Sequence, residues 1–238
     1  MEVDHGSGGL SSRSSRIRVA HGRLDVRRLA YGLAMVAAPV VGFMAIAIAP
    51  DERSNGAEQL ETIADSPARF GFGVLLSLVS LALLVLAVIG LVRLLGAEAS
   101  RYGSAGGTLA LFGIVAAAAL TGIHWVDYHL AKFPGRVVAI DLETRITSGG
   151  AFVLLSVIAL ATSLGLIVLA AGLFRRRVVA AWAPLALAVG AALVPIGHLA
   201  AEGGAGKAIQ LVGYAALVAG FGAAAQVAVR GIADHGST

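Results

Sequence analysis

The sequence predicts an all-α fold: a polytopic bundle of six transmembrane helices with both termini in the cytoplasm. Three observations support this prediction. Hydrophobic residues make up 58% of the 238 positions, charged residues make up only 13%, and the mean hydropathy is +0.85. An average soluble domain is about 25% charged, so this chain cannot cover a water-soluble globule with polar side chains. The apolar residues also lie in six long stretches, and most basic residues lie on one side of them.

Each apolar stretch is long enough to cross a bilayer, which takes about 20 residues in a helix. The stretches are too continuous for barrel strands, which alternate over about ten residues. The first stretch could be a cleaved signal peptide. Its apolar run exceeds a usual signal core, however, and Pro50 would follow the cleavage site, so a retained anchor is favoured. The predicted spans are residues 29–50, 70–92, 104–128, 149–174, 178–201 and 208–229.

The polar segments outside the spans are short. Residues 1–28 are rich in Ser, Gly and Arg, and they are expected to form a disordered, basic cytoplasmic tail ahead of one six-helix domain at 29–231. Residues 51–69 and 131–145 are interpreted as loops on the outer side. Neither loop is long enough for a separate domain, so any chemistry has to lie in the bundle or at its outer mouth.

Basic residues assign the orientation, because short cytoplasmic loops carry an excess of lysine and arginine. Twelve of the 18 lysine and arginine residues lie before the first span, in the second and fourth loops or after the last span. This bias predicts a multi-pass protein of the plasma membrane with both termini in the cytoplasm. The pI of about 10 therefore reflects topology. The lipid bilayer is the expected partner, and the scatter of the basic residues argues against nucleic acid.

Ionisable residues inside spans are rare and raise a functional hypothesis. At about 100° per residue, His124, Asp127 and Tyr128 share one face near the outer end of the third span. His198 and Glu202 end a stripe of small residues at a similar depth on the fifth span. These five residues form the predicted binding site, a polar pocket in the outer leaflet.

Four interpretations of this cluster stay open on the sequence alone. The side chains can hydrogen-bond one another and lipid headgroups, which fits a non-enzymatic carrier or accessory subunit without a cofactor. Histidine and carboxylate ligands can instead hold a divalent metal. His124 and His198 can ligate haem in a membrane redox protein, or the set can relay protons. No HExxH, Walker or nucleophile-elbow motif is present, and the lack of cysteine excludes a thiol nucleophile.

A sequence pattern shared by two spans indicates an internal repeat. Gly-Leu-Val-Arg at residues 90–93 recurs as Gly-Leu-Phe-Arg at 172–175, and the third and fifth spans each end near a histidine. Spans 2–3 and 4–5 can be tandem copies of one hairpin, or the match can follow from an alphabet biased towards Leu, Ala and Gly. Helix faces rich in Gly and Ala would also permit self-association.

Three segments carry a resemblance to other proteins. Asp-Ser-Pro-Ala-Arg-Phe at residues 65–70, Gly-Leu-Val-Arg at 90–93 and Gly-Gly-Thr-Leu-Ala at 106–110 resemble a loose group of uncharacterised multi-span integral membrane proteins of high-GC bacteria. Arginine outnumbers lysine 16 to 2, which fits a GC-rich genome. The resemblance implies a protein of the bacterial inner membrane. It implies no activity, so no functional residue is transferred from the group.

Overall fold

The computed structural model describes residues 11–51, 56–96, 100–200 and 204–233. Within these ranges every regular element is an α-helix, as the sequence predicts, and no strand is present. Eight helices follow one another along the described chain. They are α1 (Ser11–Ile48), α2 (Gly56–Asp65), α3 (Pro67–Leu95), α4 (Ser100–Leu130), α5 (Arg136–Thr147), α6 (Gly150–Arg176), α7 (Trp182–Leu199) and α8 (Gly204–Ala233).

Six of these helices are long and apolar enough to cross a membrane, which confirms the predicted number of candidate spans. The starts of two spans differ from the prediction by four residues, since α7 begins at Trp182 instead of residue 178 and α8 begins at Gly204 instead of residue 208. Arg177 ends α6 with a left-handed backbone conformation, φ 51°. Pro184 lies in the first turn of α7, where its missing N–H leaves no helical hydrogen bond unmade.

The segments outside the spans are more helical than the sequence indicates. α1 begins at Ser11, so the backbone of residues 11–28 is helical where a disordered tail is expected, and residues 1–10 lie outside the described residues. Extending an existing helix costs little, because each added residue gains one hydrogen bond. The two segments interpreted as outer loops contain α2 and α5, which pack against each other and against α4. We call this end of the bundle the α2/α5 end. The opposite end, which carries Arg93 of α3 and Arg175 of α6, is called the arginine end.

The six long helices form a closed ring in chain order. Each packs against the next, and α8 returns to pack against α1. One apolar core runs through the ring and contains fully buried side chains such as Leu91, Leu169 and Phe221. Large apolar side chains also point outwards, among them Val115 at 70% exposure and Leu154 at 60%. A helix that is apolar on all sides is typical of a membrane span.

Glycines bring the backbones of two helix pairs into direct contact. A Cβ on Gly113 of α4 would overlap Thr162 of α6, and a Cβ on Gly190 of α7 would lie 2.6 Å from the carbonyl oxygen of Gly213 on α8. Small residues allow this close approach, on which helix association in lipid depends. At these positions the helix faces that carry glycine pack against other helices of the same chain.

The Gly-Leu-x-Arg repeat makes the same contact twice at the arginine end. The glycine packs against a tyrosine of the preceding span, and the arginine guanidinium lies over the same ring, 4.7 Å and 5.7 Å from the two centroids. The residues are Gly90, Arg93 and Tyr31 in one pair and Gly172, Arg175 and Tyr102 in the other. The repeated contact therefore joins spans 1–2 and 3–4, whereas the sequence pattern suggests hairpins 2–3 and 4–5.

Two basic side chains tie the end of α1 to its neighbours in the ring. The last carbonyls of a helix have no partner within that helix. Arg69 of α3 donates to the Ile48 carbonyl at 3.1 Å, and Lys207 of α8 donates to the Ala49 carbonyl at 2.7 Å. The Asp51 carboxylate lies 3.2 Å from the Lys207 ammonium. These bonds help to close the ring at the α2/α5 end.

Gly113→Ala is expected to weaken the α4/α6 pair, because the added Cβ would overlap the Thr162 backbone. Overpacking of this kind costs about 1–3 kcal/mol, and thermal unfolding in detergent micelles measures it. Gly122→Ala on the same helix is the matched control, since nothing lies within 4 Å of its Cβ position. Equal stability of the two variants would contradict the close contact.

Candidate functional site

Two of the predicted site residues contact each other in the last turns of α4. Asp127 is 4% exposed, and its Oδ2 lies 3.4 Å from Nδ1 of His124. The ring of Phe70 on α3 meets the His124 ring edge-on, with 6.4 Å between centroids. Thr121 on the same face is also buried and donates to the Ala117 carbonyl. The polar face of α4 therefore points into the protein at Asp127 and Thr121.

Tyr128, the third predicted residue on α4, belongs to an aromatic rim beside this pair. Its ring stacks on Trp125 with 5.4 Å between centroids and meets His129 edge-on at 5.4 Å. Nζ of Lys132 lies 3.7 Å from the Tyr128 ring centroid, which is cation–π geometry. This end of α4 thus combines a carboxylate, an imidazole and an aromatic surface.

A second carboxyl group joins the site from α5. Glu143 is 6% exposed, and α5 packs against both α2 and α4. Its Oε2 lies against Gly56, the first residue of α2, where a Cβ would overlap it and force the Glu143 side chain to move. Glu143 is absent from the sequence-predicted site because residues 131–145 lack the apolar content of a buried helix. The spacing of Ala139 and Glu143, four residues apart and both buried, is the signal that could have found it.

Asp127 and Glu143 form what we call the carboxyl pair. Burial raises the pKa of Glu143 above its ordinary value, and the negative charge of Asp127 raises it further, while the hydroxyls of Thr147 and Thr144 lower it. Oδ1 of Asp127 and Oε2 of Glu143 are buried without a hydrogen-bond partner in the described part of the chain. An unsatisfied buried polar atom costs about 1–3 kcal/mol. The pair is therefore suited to take up a proton or another hydrogen-bond donor.

His198 lies at the same end of the bundle with different partners. Its Nδ1 is 3.0 Å from Nε2 of Gln210 on α8. In the ring, α6 lies between α4 and α7, so His124 has a partner on α3 and His198 has one on α8. The fifth predicted residue, Glu202, lies outside the described residues.

The metal and haem hypotheses both need ligands that converge. Among the described residues, no group of three or more His, Asp or Glu side chains is arranged to hold a metal ion. A catalytic zinc takes three protein ligands and a structural zinc takes four, whereas His124 and Asp127 supply two. His124 and His198 lie on helices that α6 separates in the ring.

Comparison of the chain with protein-family models, with curated proteins and with solved structures finds no match. The chemistry of the site therefore has to be inferred from its own residues.

Glu143→Gln is expected to raise the unfolding temperature above about pH 7, with a smaller gain at lower pH. A carboxyl with a raised pKa holds its proton more tightly in the folded protein than in the unfolded chain. Wild-type stability therefore falls as the pH rises past the ordinary glutamate pKa of about 4.3, by about 1.4 kcal/mol for each unit of the rise in pKa. The amide of the variant cannot ionise, so the stability of the variant does not fall in this way as the pH rises.

Thermal unfolding in micelles from acid to alkaline pH measures the difference. Asp141→Asn is the matched control, because Asp141 is an exposed carboxylate on the same helix, 2.8 Å from Arg145. A Glu143→Gln profile parallel to that of the wild type at every pH would show that Glu143 titrates normally.

Proposed function

We propose that this chain is a non-enzymatic integral membrane protein, a small carrier or accessory subunit, that exchanges protons at its α2/α5 end. One observation supports the proposal above all. Asp127 and Glu143 are both buried, and each keeps one carboxyl oxygen without a hydrogen-bond partner among the described residues. Ionisable groups within a membrane domain are costly and mark functional sites by default.

The carboxyl pair is suited to hold a proton on Glu143. Burial raises the pKa of Glu143 and the negative charge of Asp127 raises it further, so this carboxyl keeps its proton at pH values where an ordinary glutamate is ionised. His124 lies 3.4 Å from Oδ2 of Asp127, and its side chain is 33% exposed. Because imidazole gains and loses protons at physiological pH, His124 connects the surface to the buried acceptors.

The proposal includes an orientation and a location. The α2/α5 end faces the outside of the cell, both termini are cytoplasmic, and the membrane is the plasma membrane, as the excess of basic residues at the arginine end favours. The resemblance to proteins of high-GC bacteria favours a bacterial inner membrane. Self-association stays part of the proposal. Gly222 on α8 has nothing within 4 Å of its Cβ position, which leaves room for a neighbouring helix.

The absence of cysteine from the sequence makes single-cysteine labelling a direct test of this orientation. Val137→Cys on α5, at a position 81% exposed, is expected to react with a membrane-impermeant maleimide in intact cells. Ala180→Cys, at an exposed position between α6 and α7, is expected to react only after the cells are opened. The reverse labelling pattern would overturn the orientation.

Infrared difference spectroscopy of the protein in micelles tests proton exchange. We expect the wild type to keep the C=O band of a buried protonated carboxyl at pH values where ordinary carboxyls are ionised, and to lose it at alkaline pH. The band should be absent in Glu143→Gln. In Asp127→Asn it should vanish at lower pH, because the charge that raises the Glu143 pKa is gone.

Asp141→Asn is again the control, and its spectrum should match that of the wild type. If the wild type keeps no protonated carboxyl at pH values where ordinary carboxyls are ionised, the proposed proton-exchanging site is wrong.

A further inference from the structure

We propose that the carboxyl pair binds the ammonium group of a small organic cation, which takes the place of a proton on Glu143. The inference rests on the proton-exchanging site and names its ligand class. It predicts that a cation with N–H groups binds at the α2/α5 end, between Asp127 and Glu143, and that a proton leaves when it binds.

The first support is a pair of unfilled hydrogen-bond acceptors. Within the part of the chain that the structure describes, Oδ1 of Asp127 and Oε2 of Glu143 have no hydrogen-bond partner, although the two residues are only 4% and 6% exposed. An ionised carboxylate accepts hydrogen bonds and donates none, so the ligand has to be a donor. Hydrogen bonds from a charged donor are about twice as strong as neutral ones. An ammonium group carries both the charge and up to three donors on one atom.

The second support is the aromatic rim, which already holds an ammonium group. Nζ of Lys132 lies 3.7 Å from the Tyr128 ring centroid, and Trp125 stacks on that ring. Aromatic faces attract cations through the ring quadrupole. The tethered ammonium of Lys132 therefore marks an aromatic surface at the same end of α4 as Asp127, where a free ammonium group would first bind.

Charge and ligand number favour an organic cation over other ligands. With a proton on Glu143, the carboxyl pair carries one negative charge, and exchange of that proton for a monovalent cation leaves this charge unchanged. A divalent metal would need further ligands, and in the described ranges no three His, Asp or Glu side chains are arranged for one. An anion would meet two carboxyl groups. His124, 3.4 Å from Asp127, can carry the displaced proton to solvent.

Fluorescence titration in lipid nanodiscs tests the inference. Trp182→Phe leaves Trp125, in the rim, as the single tryptophan. Methylammonium chloride is expected to give a saturable change, whereas tetramethylammonium chloride, a cation without N–H, should give none at equal ionic strength. Asp127→Asn and Glu143→Gln in this background should weaken methylammonium binding at least about tenfold, and Asp141→Asn should leave it unchanged.

Two further readouts separate a bound cation from a general charge effect. Because a proton leaves on binding, the methylammonium affinity should rise by up to about tenfold per pH unit while the pair is protonated, and then level off. Lys132→Met, which removes the competing ammonium but keeps an unbranched side chain, should bind methylammonium more tightly.

Three outcomes would overturn the ligand class: equal responses to both cations, a response to zinc chloride that methylammonium does not compete away, or no saturable response at all. The infrared band of the protonated carboxyl is measured independently. A normal infrared band without methylammonium binding would therefore contradict only the proposed ligand class. Absence of the band from the wild type would contradict the proposed proton-exchanging site itself.

Discussion

Backbone contact between helices at glycine residues is the constraint on which the rest of this structure depends. Spans in lipid gain little from burying apolar side chains against one another, so close packing has to hold them together. Gly113 and Gly165 bring α4 and α6 into direct contact, and Gly190 does the same for α7 and α8. These pairs set the order of helices around the ring, with α6 between α4 and α7. That order decides which polar side chains can meet and keeps the two candidate histidines with different neighbours.

The carboxyl pair shows how short helices outside the spans can create a site that the spans alone lack. Asp127 belongs to α4, but its carboxyl neighbour comes from α5, and α2 covers that neighbour through Gly56. Removing Glu143 from water disfavours its charged form, and this cost raises the pKa of its carboxyl group. His198 differs, because Gln210 provides a neutral hydrogen-bond partner for it. Two spans with similar sequence patterns therefore end in different chemistry.

The spans could be predicted because length, hydropathy and charge placement are local properties of the sequence. The inward face of α4 was also predictable, since helical periodicity places His124 and Asp127 on one side. Glu143 was not predictable in this way, because its burial depends on how α2 and α5 pack after both segments fold. The separation of His124 from His198 depends on α6 lying between their helices, and that order comes from glycine contacts between residues distant in sequence. The start of α7 was missed because residues 178–181, between Arg177 and the helix, are as apolar as the span that follows.

The cap on the C-terminus of α1 has a consequence for biosynthesis. The Ala49 carbonyl receives its hydrogen bond from Lys207, 158 residues further along the chain, and α8 also makes the contact that closes the ring against α1. N-terminal segments are synthesised first, so a nascent chain that ends after α7 has no helix packed against the side of α1 that later contacts α8. Until α8 is synthesised, α1 lacks this helix partner and the hydrogen bond to its Ala49 carbonyl. The last helix, α8, thus completes the ring. A translation product that lacks α8 would leave one side of α1 without its helix partner.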